Sequence, residues 1–289
     1  MNRLVCFGLG YSAQVFARRM LARGWQVSGT TRSEGSVQKL CDEGFDVALF
    51  TGKAPGAEVR EALSRATHAL VSIAPGARGD AVLAHHGDDL AAAPALQWIG
   101  YLSTVGVYGD HGGEWVDEDA ALNPKSERSI VRVAAEKAWI EFGSRTGKAV
   151  QLFRLAGIYG PGRGPLENVR YGKARRIVKP AQVFNRIHVE DIASVLEASI
   201  AHPRLGAIYN VCDDEPAPPQ DVVAFAAEIL GVDPPPEVAF EDADLSPMGR
   251  SFYGENKRVS NARIKHELGV KLACPSYREG IRSLAEDIK

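Results

Sequence analysis

The feature that most constrains this chain stands at its start. The apolar run 4–7 leads directly into Gly8-Leu9-Gly10-Tyr11-Ser12-Ala13. Behind it, Ala13, Phe16, Ala17, Met20 and Leu21 recur at the spacing of one helix face, and Gly24 stands where a glycine commonly closes a helix. Further apolar runs follow at 25–27, 45–50, 69–74, 96–102 and 150–153. Several are apolar nearly throughout, as strands are when helices cover both faces of a parallel sheet. Ile130, Val133, Ala134 and Ala138 repeat the helical spacing, as do Ile192, Val195, Leu196 and Ile200, with Asp191 placed as an N-cap or first-turn carboxylate. Alternating strands and helices predict an α/β fold, a doubly wound parallel sheet of Rossmann type.

After about residue 156 the texture changes. Gly160-Pro161-Gly162-Arg163-Gly164-Pro165 is a loop, and prolines at 216, 218, 219 and 234–236 make further breaks. The expected organisation is a dinucleotide-type domain over 1–155, with 187–212 returning to it. A smaller carboxy-terminal substrate lobe is expected from 156–186 and 213–289. The 289 residues carry 34 Lys plus Arg against 36 Asp plus Glu, a net charge of -2, without the basic excess of a phosphate-tracking nucleic-acid binder. No run approaches the ~18 apolar residues that a membrane span needs, and the start lacks a signal-peptide core. Cys6, Cys41, Cys212 and Cys274 form no CxxC and no zinc-type Cys/His cluster. A disulfide framework and a metal site are therefore not expected, and the expected compartment is a reducing cytoplasm. His85 and His86 read as residues of a surface helix without matched ligands.

The opening turn has the form GxGxxA. In such a turn the first glycine, Gly8, allows the tight bend, and the second, Gly10, lets backbone approach a pyrophosphate. The small third residue, Ala13, lets helix and strand pack closely, with Tyr11 and Ser12 at the helix start. Following an apolar strand and opening an amphipathic helix, it points to a dinucleotide. An NAD site usually places Asp or Glu about 20 residues further on, bonding the ribose 2′-OH. Here the second strand runs into Thr31-Arg32-Ser33. Arg32 can fork onto a 2′-phosphate, with Thr31 and Ser33 adding hydroxyl donors, so NADP(H) is favoured. The alternative is a solvated surface arginine, and Glu34 leaves NAD(H) open.

Four further segments stand in a fixed order. Tyr101-Leu102-Ser103-Thr104-Val105-Gly106-Val107-Tyr108-Gly109-Asp110 is followed by Arg154-Leu155-Ala156-Gly157-Ile158-Tyr159-Gly160-Pro161-Gly162-Arg163. Arg186-Ile187-His188-Val189-Glu190-Asp191-Ile192 and Tyr209-Asn210-Val211 come next. With the glycine turn, these make the chain resemble the extended short-chain dehydrogenase/reductases, the NAD-dependent epimerase/dehydratase family, over nearly its whole length. That family works with a Ser or Thr at the fifth strand and a Tyr and Lys at YxxxK spacing on the next helix. The resemblance puts Thr104 at the hydroxyl position with Ser103 beside it. It puts Arg128 where Tyr is expected and Arg132 where Lys is expected. Arginine stays protonated, so neither can serve as the general base. Arg132 can still donate to the nicotinamide ribose, and Arg128 can bind an anionic or carbonyl group. The pattern resembles an atypical branch that lacks the YxxxK pair. The alternative is an exposed Arg132–Glu136 ion pair at i, i+4.

The resemblance also implies that the backbone of Ser72, Ala74 and Pro75 lines the adenine side of the cleft and that Arg154 and Tyr159 shape the nicotinamide pocket. Tyr108 or His111 is a candidate replacement for the missing proton donor. Tyr108, Arg163, His188 and Arg258 are the candidate substrate contacts, with His188 equally readable as a buried structural residue. The basic stretch Arg163, Arg170, Lys173, Arg175 and Arg176 suits a phosphorylated or nucleotide-linked small molecule, or is a solvated face. Tyr171 and Arg175 repeat the YxxxK-like spacing outside the family position. The resemblance implies a homodimer through the helices around 80–92 and 125–143. The expected activity is that of an epimerase/dehydratase-like oxidoreductase, moving a hydride between the coenzyme and a nucleotide sugar or small carbonyl or alcohol. The competing expectation is a catalytically silent NADP(H)-binding sensor or scaffold.

Overall fold

A computed structural model describes residues 1–286; residues 287–289 of the expected carboxy-terminal lobe lie outside the described residues. The chain opens with β1 (Arg3–Phe7), α1 (Tyr11–Ala22), β2 (Gln26–Thr31), α2 (Glu34–Asp42), β3 (Asp46–Leu49), α3 (Ala57–Ser64), β4 (His68–Val71), α4 (Ala81–Ala92) and β5 (Trp98–Thr104) in strict alternation. A 3-10 turn (Val105–Tyr108) and β6 (Trp115–Val116) precede α5 (Glu127–Thr146) and β7 (Val150–Leu155). Next come β8 (Gly157–Tyr159), α6 (Pro165–Arg170), β9 (Arg176–Val178), β10 (Arg186–His188), α7 (Val189–Ala201) and β11 (Ile208–Val211). The chain continues through α8 (Pro219–Leu230), β12 (Glu237–Ala239), a second 3-10 turn (Phe240–Asp242), α9 (Pro247–Phe252), β13 (Arg258–Val259), α10 (Ala262–Leu268) and α11 (Tyr277–Glu286).

The chain divides into two compact units. The first holds 1–104, 130–154 and 193–209, and the second holds 105–129, 155–192 and the described residues from 210 on. The segment 105–129 thus groups with the second unit, although the sequence reading places it in the domain over 1–155.

A seven-stranded parallel sheet in the order β11-β7-β5-β4-β1-β2-β3 organises the fold. The chain winds outward from β1 to β3 and then returns to the other side of β1 at β4, so the strand order reverses between β1 and β4. In open α/β sheets ligands bind outside the carboxyl ends of the strands at such a reversal. Strand alternation sets the layers. Val5 and Phe7 of β1, Ala69 and Val71 of β4, Ile99 and Tyr101 of β5, and Val150 and Leu152 of β7 point to one face. There they pack with Val59 and Leu63 of α3, Val82 and Leu90 of α4, and Ala135 and Trp139 of α5. On α1, Ala13, Phe16, Ala17 and Met20 are buried, and Gly24 adopts φ +78° just past the helix, which matches the sequence reading.

In the second unit, three short parallel pairs, β8–β10, β9–β12 and β6–β13, replace a large sheet. One of its cores joins Tyr159, Leu166, Val222, Ala226, Tyr277 and Ile281. Gly280 is required there, since a Cβ would lie 2.1 Å from the Tyr159 hydroxyl. Asp191 does lie in the first turn of α7, but its buried carboxylate accepts from the Ala273 and Cys274 amides at 2.7 and 3.0 Å. It therefore ties down a carboxy-terminal loop as well as favouring its own helix.

The surface-helix reading of 85–86 is corrected at His86, which is fully buried. Its Nδ1 lies 2.8 Å from Asp89, and its Nε2 accepts from the Gly56 amide at 3.2 Å. Among the described residues no helix is long and apolar enough to cross a membrane, and no group of His, Cys, Asp and Glu could hold a metal ion.

Candidate functional site

The carboxyl ends of β1, β2 and β4 in the first unit form the glycine loop and its supports. Gly8 takes φ +87°, and a Cβ there would lie 3.0 Å from Ile73 Cγ1 and 3.3 Å from Ser72 Oγ. The Gly8 amide donates to Thr30 Oγ1 at 2.9 Å, the Leu9 amide donates to the Thr30 carbonyl at 2.8 Å, and Ser72 Oγ donates to the Gly8 carbonyl at 2.7 Å. Gln14 Nε2 closes the loop from the helix side by donating to the Leu9 carbonyl at 2.8 Å. The loop is thus held from below by side chains of β2, β4 and α1. Above it the situation differs, because a Cβ on Gly10 would meet nothing within 4 Å. Gly10 is the N-cap of α1 with no side-chain cap, and the first turn holds no acidic residue. The positive end of a twelve-residue helix without a side-chain cap, beside open space at Gly10, fits a diphosphate.

At the tip of β2, Thr31 is followed by Arg32 and Ser33, both exposed. Thr31 Oγ1 accepts from the Ser33 amide at 3.3 Å. Ser33 is the N-cap of α2 without a side-chain cap bond, and Glu34 occupies the first turn. No carboxylate stands on the strand tip itself.

The tip of β5 carries a second cluster. Alternation sends Tyr101 and Ser103 toward α5. Arg132 Nη1 donates to the Leu102 carbonyl at 2.8 Å and to the Tyr101 hydroxyl at 3.3 Å, with its guanidinium carbon 5.7 Å from the Tyr101 ring centre. One turn further along α5, Glu136 accepts from Ser103 Oγ at 2.5 Å and pairs with Arg154 Nη2 at 2.8 Å. Ser103, Glu136 and Arg154 are all buried, so this ion pair is sealed inside the layer between sheet and helix. Burial pushes the Tyr101 hydroxyl above its usual range despite the nearby Arg132 charge, so it stays a phenol. Burial likewise raises the carboxyl of Asp80, which caps α4 by accepting from the Val82 and Leu83 amides at 2.9 and 3.1 Å.

One reading changes here. Glu136 does not form the exposed pair with Arg132; it faces inward and holds Arg154. Thr104 ends β5, half-buried, and Ala74 and Pro75 follow β4 in the expected loop.

The remaining candidates lie in the second unit. Tyr108 is fully buried, and its hydroxyl donates to Asn210 Oδ1 at 2.7 Å. His111 is half-buried, with Nε2 3.1 Å from the Tyr108 carbonyl. Tyr159 and His188 are buried together with ring centres 5.2 Å apart, and His188 Nδ1 accepts from the Glu190 amide at 3.3 Å. Arg258 donates to the Gly113 carbonyl. Arg128 is exposed, with its guanidinium carbon 5.2 Å from the Phe252 ring centre. Arg163 is exposed on the glycine–proline loop.

Sequence reasoning missed Thr30, Gln14 and the partnership of Glu136 with Arg154. A signal for the last was present. An arginine inside the all-buried strand 150–155 needs a carboxylate within reach, and the facing helix offers one.

No family model matches the chain. A solved structure, a functionally unknown conserved protein from Silicibacter pomeroyi DSS, is 50% identical and superposes with a TM-score of 0.90, covering 100% of both chains. This chain belongs to that protein's family. Protein YeeZ of Escherichia coli (strain K12) is 29% identical over 286 residues, spanning 95% of this chain and 97% of YeeZ. A dTDP-glucose 4,6-dehydratase of Bacillus anthracis str. Ames, solved in complex with NAD, shares the fold at 16% identity and a TM-score of 0.78, covering 99% of this chain and 96% of its own. The neighbours are NAD-dependent epimerase/dehydratase family members and reductases.

Proposed function

We propose that this chain is an NADP(H)-dependent oxidoreductase of the epimerase/dehydratase type, acting on a nucleotide sugar or a small carbonyl or alcohol. The observation that carries the reading is the glycine loop, supported from below by Thr30, Ser72 and Gln14 and open above Gly10. A dinucleotide-bound dehydratase among the structural neighbours and a GDP-6-deoxy-D-mannose reductase of Pseudomonas aeruginosa, 24% identical over 205 residues, support the reaction class. The four free cysteines suit a reducing cytoplasm.

Each residue then has a task. The loop amides and the start of α1 hold the diphosphate, with Tyr11, Ser12 and Ala13 forming the helix entry. Arg32, Thr31 and Ser33 hold the 2′-phosphate, and NAD(H) binds more weakly because no carboxylate stands on the β2 tip to accept from a 2′-OH. The bound coenzyme supplies or takes a hydride at nicotinamide C4. Arg132 is anchored to β5 through one nitrogen, and its Nε and Nη2, which make no bond among the described residues, are left to donate to the ribose. Thr104 hydrogen-bonds the reacting oxygen. Tyr159 shapes the nicotinamide pocket, and Arg128, Arg163, His188 and Arg258 belong to the substrate side, in a protein acting as a homodimer. Residues 128 and 132 cannot exchange the proton, because guanidinium groups keep theirs. Tyr108 has its hydroxyl committed to Asn210 inside the second unit, and the proposal does not use it for proton transfer.

The departure from YxxxK favours one second reading, an NADP(H)-binding sensor without turnover. Calorimetry with NADPH and NADH, followed by stopped-flow nicotinamide absorbance against nucleotide sugars and small carbonyls, decides between them. Turnover supports the enzyme, firm NADPH binding with no turnover supports the sensor, and no heat with any pyridine coenzyme refutes both. Arg32→Ala is expected to weaken NADPH by about tenfold or more, the loss of a charge-assisted contact, and NADH by much less. Equal loss for both removes the 2′-phosphate contact.

A further inference from the structure

A strand covered by helices on both faces reads apolar, yet β2 ends in Ser28-Gly29-Thr30-Thr31. Gly29 and Thr30 are nonetheless buried, Thr30 with 2% of its surface exposed. Gly29 pairs with Cys6 of β1 in the register, so both residues lie beside the end of the strand that leads into Gly8. Neither adds apolar side-chain surface as valine would. A glycine inside a strand marks a close approach by something else, and a buried hydroxyl requires a partner.

Both requirements are met by the glycine loop. Thr30 grips its backbone twice, accepting from the Gly8 amide through Oγ1 at 2.9 Å and from the Leu9 amide through its carbonyl at 2.8 Å. Gly29 receives its side chain. Leu9 is buried, and a Cβ on Gly29 would lie 2.4 Å from Leu9 Cδ1 and 2.5 Å from its Cγ. Leu9 has little freedom to back away, because Thr30 holds its amide and Gln14 holds its carbonyl. With Ser72 on the Gly8 carbonyl, the N–H and C=O of both Gly8 and Leu9 are bonded within the protein. The turn is fixed by the chain itself, and the open space begins one residue later, at Gly10.

The structure assigns Gly29 and Thr30 as positioning residues for the coenzyme, a two-residue seat on β2 that sets the height and tilt of the glycine loop. They act through Gly8 and Leu9. Gly29 sets how deep Leu9 sinks, and Thr30 orients the two peptide planes that aim Gly10 and the start of α1. The inference rests on the coenzyme reading above and deepens it. Arg32 bears on the 2′-phosphate, which one coenzyme carries. The seat bears on the diphosphate, which NADP(H) and NAD(H) share, so its loss falls on both alike.

The test is titration calorimetry with NADPH and NADH, together with thermal midpoints, on the parent, Thr30→Val, Thr30→Ser and Gly29→Ala. Valine keeps the branched shape of threonine and removes the acceptor of the Gly8 amide. Thr30→Val is expected to weaken both coenzymes by about tenfold, as for a lost hydrogen bond that leaves its donor unpaired. Thr30→Ser keeps the hydroxyl and is expected to stay within about threefold of the parent. Gly29→Ala leaves the hydroxyl in place and lifts Leu9, and is expected to weaken both coenzymes by at least about fivefold. Titrations are run well below each midpoint, where the chain is folded. A merely structural role would then lower the midpoint and leave the affinity unchanged, which overturns the proposal. So does a loss confined to NADPH, or an equal loss in Thr30→Ser and Thr30→Val. If Thr30→Val does not fold, Gly29→Ala decides by the same criteria. A parent that binds neither coenzyme refutes the coenzyme reading and this inference together. A parent that binds both, with variants that bind as it does, refutes this inference alone.

Discussion

Replacing Glu136 with glutamine removes one charge from a buried pair and keeps the side chain's shape. The parent carboxylate is 2.8 Å from Arg154 Nη2, with side-chain exposures of 3% and 4% for Arg154 and Glu136, and it also accepts from Ser103 Oγ at 2.5 Å. In the variant, the Arg154 guanidinium remains buried and loses the Glu136 charge. Breaking a buried pair from one side costs ~3–5 kcal/mol, much of it the desolvation of the charge left behind. The glutamine carbonyl can still accept a hydrogen bond, so the lower end, about 3 kcal/mol, applies. For a chain of this size that lowers the thermal midpoint by roughly 6–12 °C. The double variant Glu136→Gln/Arg154→Met removes the stranded charge as well, and should recover more than half of the loss. The assay is scanning calorimetry at one fixed scan rate on the parent, both single variants and the double variant. A drop below about 2 °C in Glu136→Gln, or strictly additive losses in the double variant, would refute the coupled-pair account.

Gly8→Ala puts a Cβ at φ +87° and 3.0 Å from Ile73 Cγ1, so a loss of at least about 1 kcal/mol is expected with a clear fall in NADPH affinity, read by denaturant midpoint and calorimetry. His68 is buried, and desolvation lowers its pKa to about 4, so the unfolded chain takes up its proton near pH 6.5 and the folded chain only near 4. Stability should therefore fall as pH drops from 6.5 toward 4, by up to ~3 kcal/mol at this one group, and His68→Gln should flatten that part of the curve. An unchanged slope in the variant would assign the loss to other groups.

The sheet was legible in the sequence because fully covered strands have an unambiguous pattern. Each of the six apolar runs overlaps a strand of the large sheet, and the glycine turn opens α1. Segment 105–129 was harder, since it follows β5 without a break in composition and its grouping with the second unit rests on contacts distant in sequence, such as Tyr108 with Asn210. The seventh strand, β11, is four residues long and was legible only as part of the resemblance carried by Tyr209-Asn210-Val211. At the site, the family resemblance pointed to Arg132 and Ser103 but could not say which way Glu136 turns. The i, i+4 relation to Arg132 is local and visible; the partner that wins, Arg154, is 18 residues away, and the desolvation it must offset appears only once β7 is placed under α5. His86 was misread because its Asp89 and Gly56 partners make a buried histidine acceptable, and Gly56 is 30 residues away in sequence.

These contacts tie α5 closely to the tip of β5, with Arg128 and Arg132 standing where the resemblance expects Tyr and Lys. Arg132 grips the Leu102 carbonyl, and Glu136, one turn on, grips the Ser103 hydroxyl. The helix therefore reads β5 at two successive residues immediately before Thr104. A slide of α5 by one turn would strand Arg154 in the core, so the buried pair fixes the register of the helix and, with it, the reach of Arg132. Groups that act on a coenzyme must be held to within about half an ångström, and a guanidinium anchored through one nitrogen meets that need better than one projecting freely into solvent. On the proposed reading, α5 can position a coenzyme through Arg132 without exchanging a proton, so coenzyme binding and turnover are to be measured separately.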